Sequence, residues 1–418
     1  MNRKNKISVL LFLLVLFFAF ISNAQDSIYA RKVIQTLTSD KYYGRGYVKN
    51  GDGKAASYIE GEFRRLNLEP LTGSYFQKFE FAVNTFPSTM KIYIDGKALI
   101  PGRDYIVYPS SSSCNKEFTI TEADSASMLQ NLKKESEDCL FISNKYFNAS
   151  REEANDALAL RRQGAVVLVE ENKLTWSVGR SQLHIPVIII LKKSLPDHFT
   201  KINFKIKSVF QPEHKTQNVI GYIKGKSLPD SFLVFSAHYD HLGMMGKKTI
   251  FPGANDNASG VAMLLNLAAH FTNPENRTEC SLVFIAFAGE EAGLVGSHYY
   301  TENPLFSLSK IKFLINLDLL GTGDEGLTVV NATEYKSQFQ LLKSINENNK
   351  YLPFIGERGK ARNSDHYFFS EKGVPCFFLY TLGGIKAYHD IDDKSTTLPL
   401  TRFKEVFRLI RDFSNSLN

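Results

Sequence analysis

The sequence predicts an α/β protein: a mixed, mostly parallel central sheet flanked by helices, with a small β-rich domain inserted into the chain. Three observations lead there. From Thr216 onward, strand-like and helix-like segments alternate steadily. The strand-like ones are apolar nearly throughout, as required where helices cover both faces of a sheet. Between about Asn84 and His214 the texture changes to short extended runs broken by Ser- and Pro-containing turns such as Pro109-Ser-Ser-Ser-Ser113. With 43% hydrophobic and 22% charged residues, the 418-residue chain is neither disordered nor collagen-like.

Taken in order, residues 1–24 read as a secretory signal. Arg3, Lys4 and Lys6 precede an uncharged, mostly apolar run from Ile7 to Ile21, and Ser22-Asn23-Ala24 supplies the small residues of a cleavage site. The run is shorter than the ~20 residues needed to span a membrane. Export to the periplasm or the extracellular space is expected, with no stable membrane insertion once the signal is removed. That removal takes the formal charge from +7 to +4, too little to point to nucleic acid. An oxidising compartment permits disulfides; Cys114–Cys139 is the expected bridge, and Cys280 and Cys376, opening strand-like runs, are expected buried thiols. Nothing indicates an oligomeric state.

Residues 25–83 and 215–418 are expected to form the main domain and 84–214 the inserted one. The first piece carries helices over Ser27–Thr38 and Gly53–Leu66, separated by the turn Tyr43-Gly44-Arg45-Gly46, and then an extended run, Tyr75–Val83. The insert has extended runs at Met90–Ile94, Phe118–Ile120 and Cys139–Ser143. A helix-like piece, Glu153–Gln163, follows, and then β-branched runs near Ala165–Val169 and Ile185–Ile190. In the last piece the strand candidates are Val219–Ile223, Phe232–Ala237, Ser281–Phe287, Phe313–Leu317, Leu327–Val330 and Val374–Tyr380. The helix candidates are Gly260–Phe271, Leu294–Tyr300, Tyr335–Asn346, Asp365–Lys372 and Thr401–Leu417.

The chemistry sits where these strands end. Phe232–Ala237 runs into His238-Tyr239-Asp240. Gly253-Ala-Asn-Asp256-Asn-Ala-Ser-Gly260 opens a helix. Ser281–Phe287 leads to Glu290-Glu291, Phe313–Leu317 to Asp318, and the last strand to Tyr388-His389. Singly, each has an ordinary explanation: a satisfied polar residue, a helix cap, a solvated pair, a turn. Together, two histidines and three carboxylates at one sheet edge form a nitrogen and oxygen ligand set without thiolates. That set suits zinc or a similar divalent ion, and suffices for two ions if one carboxylate bridges.

These motifs, in this order, resemble those of the M28 family of zinc aminopeptidases. The likeness covers Asn218–Asn418 and, loosely, Ser27–Val83, and Asn363-Ser-Asp-His366 with Gly373-Val-Pro375 is similar to a further family segment. Residues Glu153–Ile190 are similar to a protease-associated insert that many members carry. The resemblance implies a zinc exopeptidase fold acting on the amino ends of peptides. It implies Asp256 bridging two zinc ions, with His238 and Asp318 on one and Glu291 and His389 on the other, and a hydroxide between them. It implies Glu290 as general base, Asp240 orienting His238, and a cis peptide at Asp256–Asn257. The sequence departs from some members in having Ala361 where a tyrosine stabilises the oxyanion; Arg362, Tyr380 and Tyr388 are candidates for that role. His241 and His366 are expected to support the site rather than bind metal. Two other readings are a glutaminyl cyclase-like single-zinc acyltransferase, which resembles an aromatic box that Trp176 alone cannot supply, and a peptidase-like binding ectodomain without catalysis.

Overall fold

The computed structural model describes residues 27–417; the signal reading falls outside them. Among the described residues no helix is long and apolar enough to cross a membrane. The chain opens with helices α1 (27–37) and α2 (Gly51–Arg65), then strand β1 (Phe76–Thr85). Next come strands β2 (Met90–Ile94), β3 (Lys97–Leu99), β4 (Tyr105–Val107), β5 (Cys114–Ala123), β6 (Cys139–Ser143), β7 (Ala165–Glu170), β8 (Val187–Leu191) and β9 (Lys201–Ile206). They form an eight-stranded sheet of their own, ordered β3-β2-β9-β5-β6-β7-β8-β4. Helices α3 (Met128–Lys133), α4 (Asn144–Ala149) and α5 (Arg151–Leu160) pack on it.

The segment is therefore richer in regular structure than its polar turns suggest, with helices at α3 and α4 too short for periodicity to reveal. The expected Cys114–Cys139 bridge is not formed. Cys139 sits opposite Ile120 in the parallel pair β5–β6, whereas Cys114 lies six residues earlier on β5, opposite Ile206 of β9. Closeness in sequence says nothing about strand register.

Strand β10 (Val209–Ile223) returns antiparallel to β1, with Thr85 opposite Val209, so one two-stranded ribbon carries the chain out to the second sheet and back. The central sheet then adds β11 (Leu228–His238), β14 (Cys280–Phe287), β15 (Ile311–Leu317), β16 (Gly326–Val330), β17 (Ile355–Glu357) and β18 (Cys376–Leu382), after a hairpin of β12 (Gly243–Met245) and β13 (Thr249–Phe251). Its order is β1-β10-β14-β11-β15-β18-β16-β17, and β14, β11, β15 and β18 run parallel. Alternate side chains explain the unbroken apolar runs. Leu233, Phe235 and Ala237 face one core with Leu282, Phe284 and Ala286, while Phe232 and Val234 face the other with Val283, Ile285 and Phe287. Helices α6 (Gly260–Phe271), α8 (Lys336–Asn349) and α10 (Phe403–Ser416) belong to the first core, and α7 (Val295–Glu302) and α9 (His366–Glu371) to the second. Burying both faces removes ~25 cal/mol per Å² of apolar surface from water.

The turn at Gly44–Gly46 sits directly on the β12 hairpin. A Cβ added at Gly46 would lie 2.4 Å from the Cα of Gly243, a distance no side chain tolerates. Gly46→Ala should therefore destabilise the protein by about 1–3 kcal/mol through overpacking, read as a lower urea midpoint with an unchanged slope.

Candidate active site

One strand end and four loops converge at the carboxyl ends of the parallel strands, where an open α/β sheet places its crevice. His238 is the last residue of β11, Glu290 and Glu291 follow β14, Asp318 follows β15, His389 lies in the loop after β18, and Asp256 lies in the turn that opens α6. The Asp256–Asn257 peptide is cis.

Asp256 is the centre of the group. Its Oδ1 lies 3.3 Å from His238 Nε2 and its Oδ2 lies 3.0 Å from His389 Nε2. His238 Nε2 also faces Asp318 Oδ1 at 3.4 Å, and His389 Nε2 faces Glu291 Oε2 at 3.2 Å. Glu290 stands slightly back, its Oε2 4.0 Å from His238 Nε2. All seven residues singled out in the sequence are thus in one place. Asp240 differs in detail: His238 Nδ1 faces its main-chain oxygen at 3.2 Å, with its carboxylate at 3.8 Å. That carboxylate accepts the Tyr47 hydroxyl and the backbone N–H groups of Glu290 and Glu291, tying the ends of β11 and β14 together.

Several supporting residues were not singled out in the sequence. Arg45, fully buried, donates to the carbonyls of Tyr239 (2.8 Å), Pro252 (2.7 Å), Gly253 (2.7 Å) and Asp256 (3.2 Å). Asp393, also buried, accepts the N–H groups of Asn255 (2.8 Å) and Asp256 (3.0 Å). The loop bearing Asp256 is held by a cation on its carbonyls and an anion on its amides. His241, already expected from the sequence to support the site, donates from Nδ1 to Glu291 Oε1 at 2.6 Å, leaving Oε2 to His389. It is packed so tightly under Gly253 that a Cβ there would fall 2.4 Å from the ring. Ser364 donates to Asp318 Oδ2 at 3.0 Å and is itself held by Asn316. The only signal for Arg45 in the sequence was an arginine flanked by glycines in an otherwise apolar turn.

So many buried charges perturb one another. Burial alone would lower His389, but Glu291 and Asp256 raise it to about 11. His238 is likewise raised well above its ordinary value, the Asp318 and Glu290 carboxylates outweighing burial. Burial opposes ionisation of Glu291, but the histidines beside it, His389 foremost, lower it to about 2. Glu290 goes the other way: burial, with Glu291 and Asp365 adding to it, lifts it well above the carboxylate range.

Imidazoles and carboxylates without thiolates suit a hard or borderline divalent cation. One ligand atom each from His238, Asp256 and Asp318 falls within 4.8 Å of the others, as it does for His241, Asp256 and Glu291. Asp318 Oδ1 is buried without a hydrogen-bond partner, which an acceptor aimed at a cation explains. The floor belongs to a cavity of about 540 Å³ whose walls include Arg358, Arg362, Tyr380 and Tyr388. Among the described residues neither arginine has an acidic partner within ion-pair distance, and Arg358 reaches Tyr380 Oη at 3.4 Å.

Fold and site together define an α/β protein with an acidic, histidine-containing metal-type centre at its sheet edge. Residues 218–414 match the model of Peptidase family M28. Among curated proteins it is 27% identical over 230 residues to "Aminopeptidase YwaD" of Bacillus subtilis strain 168, covering 53% of this chain and 49% of that protein. A "Probable zinc metalloprotease" of Pyricularia oryzae is 38% identical over 116 residues, 27% of this chain and 23% of the relative. The matches thus span about a quarter to a half of these relatives' length. The fold is that of a zinc aminopeptidase from Bacillus subtilis (TM-score 0.69, 19% identity, 93% of this chain and 94% of the other). It is also that of the aminopeptidase from Aneurinibacillus sp. strain AM-1 (TM-score 0.67, 19% identity, 95% of each chain).

Arg45→Met would leave buried carbonyls of the Asp256 loop without donors. At about 1–3 kcal/mol for each orphaned group, it should lower unfolding free energy by about 3 kcal/mol or more in a denaturant titration.

Proposed function

We propose that the protein is an exported zinc-dependent aminopeptidase that removes N-terminal residues from peptides at a dinuclear centre. In this reading His238 and Asp318 hold one zinc ion, Glu291 and His389 the other, and Asp256 bridges. The observation that carries it is the spacing of the donor atoms. Atoms about 2.0–2.1 Å from one tetrahedral zinc lie roughly 3.3 Å from each other; the four imidazole–carboxylate separations are 3.3, 3.4, 3.0 and 3.2 Å. Charge-assisted hydrogen bonds would draw most of them in to ~2.7–2.9 Å. The family match and the aminopeptidase among the relatives support the same reading.

Zinc ions bound there would supply an acidified water and an electrophile for the scissile carbonyl. Everything else falls to the chain. Glu290, with its high proton affinity, takes a proton from the attacking water and returns it to the departing amine. Asp240 fixes the backbone beneath Glu290 and Glu291, and its main-chain oxygen sets the tautomer of His238. Arg362, Tyr380 and Tyr388 are among the cavity donors available to a developing oxyanion where Ala361 offers none. Export rests on the first 24 residues of the sequence.

A cyclase reading is disfavoured because Trp176 lies outside the metal-facing walls, its indole buried and donating to the carbonyl of Val107 at 2.8 Å.

Glu290→Gln should keep zinc content, measured by elemental analysis, while lowering kcat on aminoacyl anilides and dipeptides by about 10²–10⁴-fold. A chelator should abolish wild-type turnover and added zinc restore it. Chelator-resistant hydrolysis, or full activity of the Gln variant, would refute the assignment.

A further inference from the structure

His389 belongs to the central-sheet part of the chain, yet its surroundings come from the second sheet. Its Nδ1 faces the carbonyl oxygen of Trp176 at 2.9 Å. In return the Trp176 N–H donates to the His389 carbonyl, also at 2.9 Å. Three residues away, Lys173 donates to the carbonyls of Lys386 (2.9 Å) and Tyr388 (3.1 Å) and pairs with Asp390 Oδ2 at 2.6 Å. The loop needs such support, because His389 has φ of 52°, a sparsely populated conformation for a residue with a side chain.

We propose that Lys173 and Trp176, on the segment between β7 and β8, are positioning residues for His389, so that the second sheet completes one half of the metal centre. The inference rests on His389 being a metal ligand, as read above. An imidazole presents a lone pair at Nε2 only when its proton is held at Nδ1. The Trp176 carbonyl holds it there, and the reciprocal bond fixes the plane of the ring. The other half needs nothing from the second sheet: His238 is oriented by Asp240 and Asp318 by Ser364, all on central-sheet elements. The anchor is firm, since the Trp176 indole packs on Phe251 with ring centroids 4.5 Å apart. Lys173 is the adjustable part, with its side chain 42% exposed, beside a polar cavity of about 340 Å³ that also touches Glu170 and Arg151.

The test is metal titration of the full chain. Zinc binding would be followed by calorimetry and the cobalt-substituted protein by visible absorption, for wild type, Lys173→Met, Trp176→Ala and, as control, Lys192→Met, which lies just beyond β8 and whose pair with Glu171 is exposed. Lys173→Met should leave one site at wild-type affinity and weaken the other by about 10–100-fold, the usual effect of losing an outer partner. Trp176→Ala should do at least as much, and Lys192→Met should change neither site. Two unchanged sites in Lys173→Met, or equal weakening of both, would overturn the inference; this variant decides the matter if Trp176→Ala does not fold. A wild-type chain that binds fewer than two ions would instead refute the dinuclear reading on which the inference rests.

Discussion

The structure turns on one buried carboxylate shared between two imidazoles. Asp256 presents one oxygen to His238 and the other to His389, and those histidines come from the end of β11 and from the loop after β18. A group so placed has little freedom, because a shift toward either ring lengthens the contact with the other. Much of the surrounding architecture limits that shift. Arg45 grips the carbonyls of the loop, Asp393 its amides, and α6 begins immediately beyond it. The hydrogen bonds are directional and run to main chain, so they fix position where a salt bridge between flexible side chains would not.

The same concentration of charge sets the chemistry. Asp256, Glu290, Glu291 and Asp318 crowd into one region with the imidazoles of His238, His241 and His389 directly among them. In a region of low effective dielectric, such carboxylates repel strongly unless protonated or matched by cations. The balance of charge expresses that: carboxylates raise His238 and His389 above the ordinary imidazole value, and burial raises Glu290 above the carboxylate range. Divalent cations relieve the same repulsion without using the imidazole lone pairs for protons. In the proposed reading the floor takes ions first and substrate second, and Arg358 and Arg362 on the walls, without an acidic ion-pair partner among the described residues, face a floor whose charge the ions would offset.

The convergence of the candidate ligands was legible in the sequence because each is announced locally. A run of apolar residues ends, a polar residue follows, and parallel-sheet topology sends those ends to one edge. The alternating strands and most helices after Thr216 were legible for the same reason. Arg45, Tyr47 and Asp393 were not, since the partners through which they act lie 137 to 208 residues away in the chain: the Gly253 carbonyl for Arg45, the Asp240 carboxylate for Tyr47 and the Asp256 amide for Asp393. No periodicity marks a residue whose partner is a distant carbonyl. The Cys114–Cys139 expectation failed on the same ground: register between strands is a tertiary property.

The place of the second sheet follows from how it is attached. The ribbon of β1 and β10 leaves the central sheet at its edge, with Thr85 opposite Val209. A sheet tethered only there would be free to swing about the ribbon. It is held instead by contacts at the far side, where Trp176 joins a core with Phe86, Leu242, Met245 and Phe251 and Lys173 meets the His389 loop. The docking contact and the orientation of His389 are thus made by the same few residues. Any motion that lifts the second sheet must also release the imidazole, and any force that fixes the imidazole holds the sheet in place.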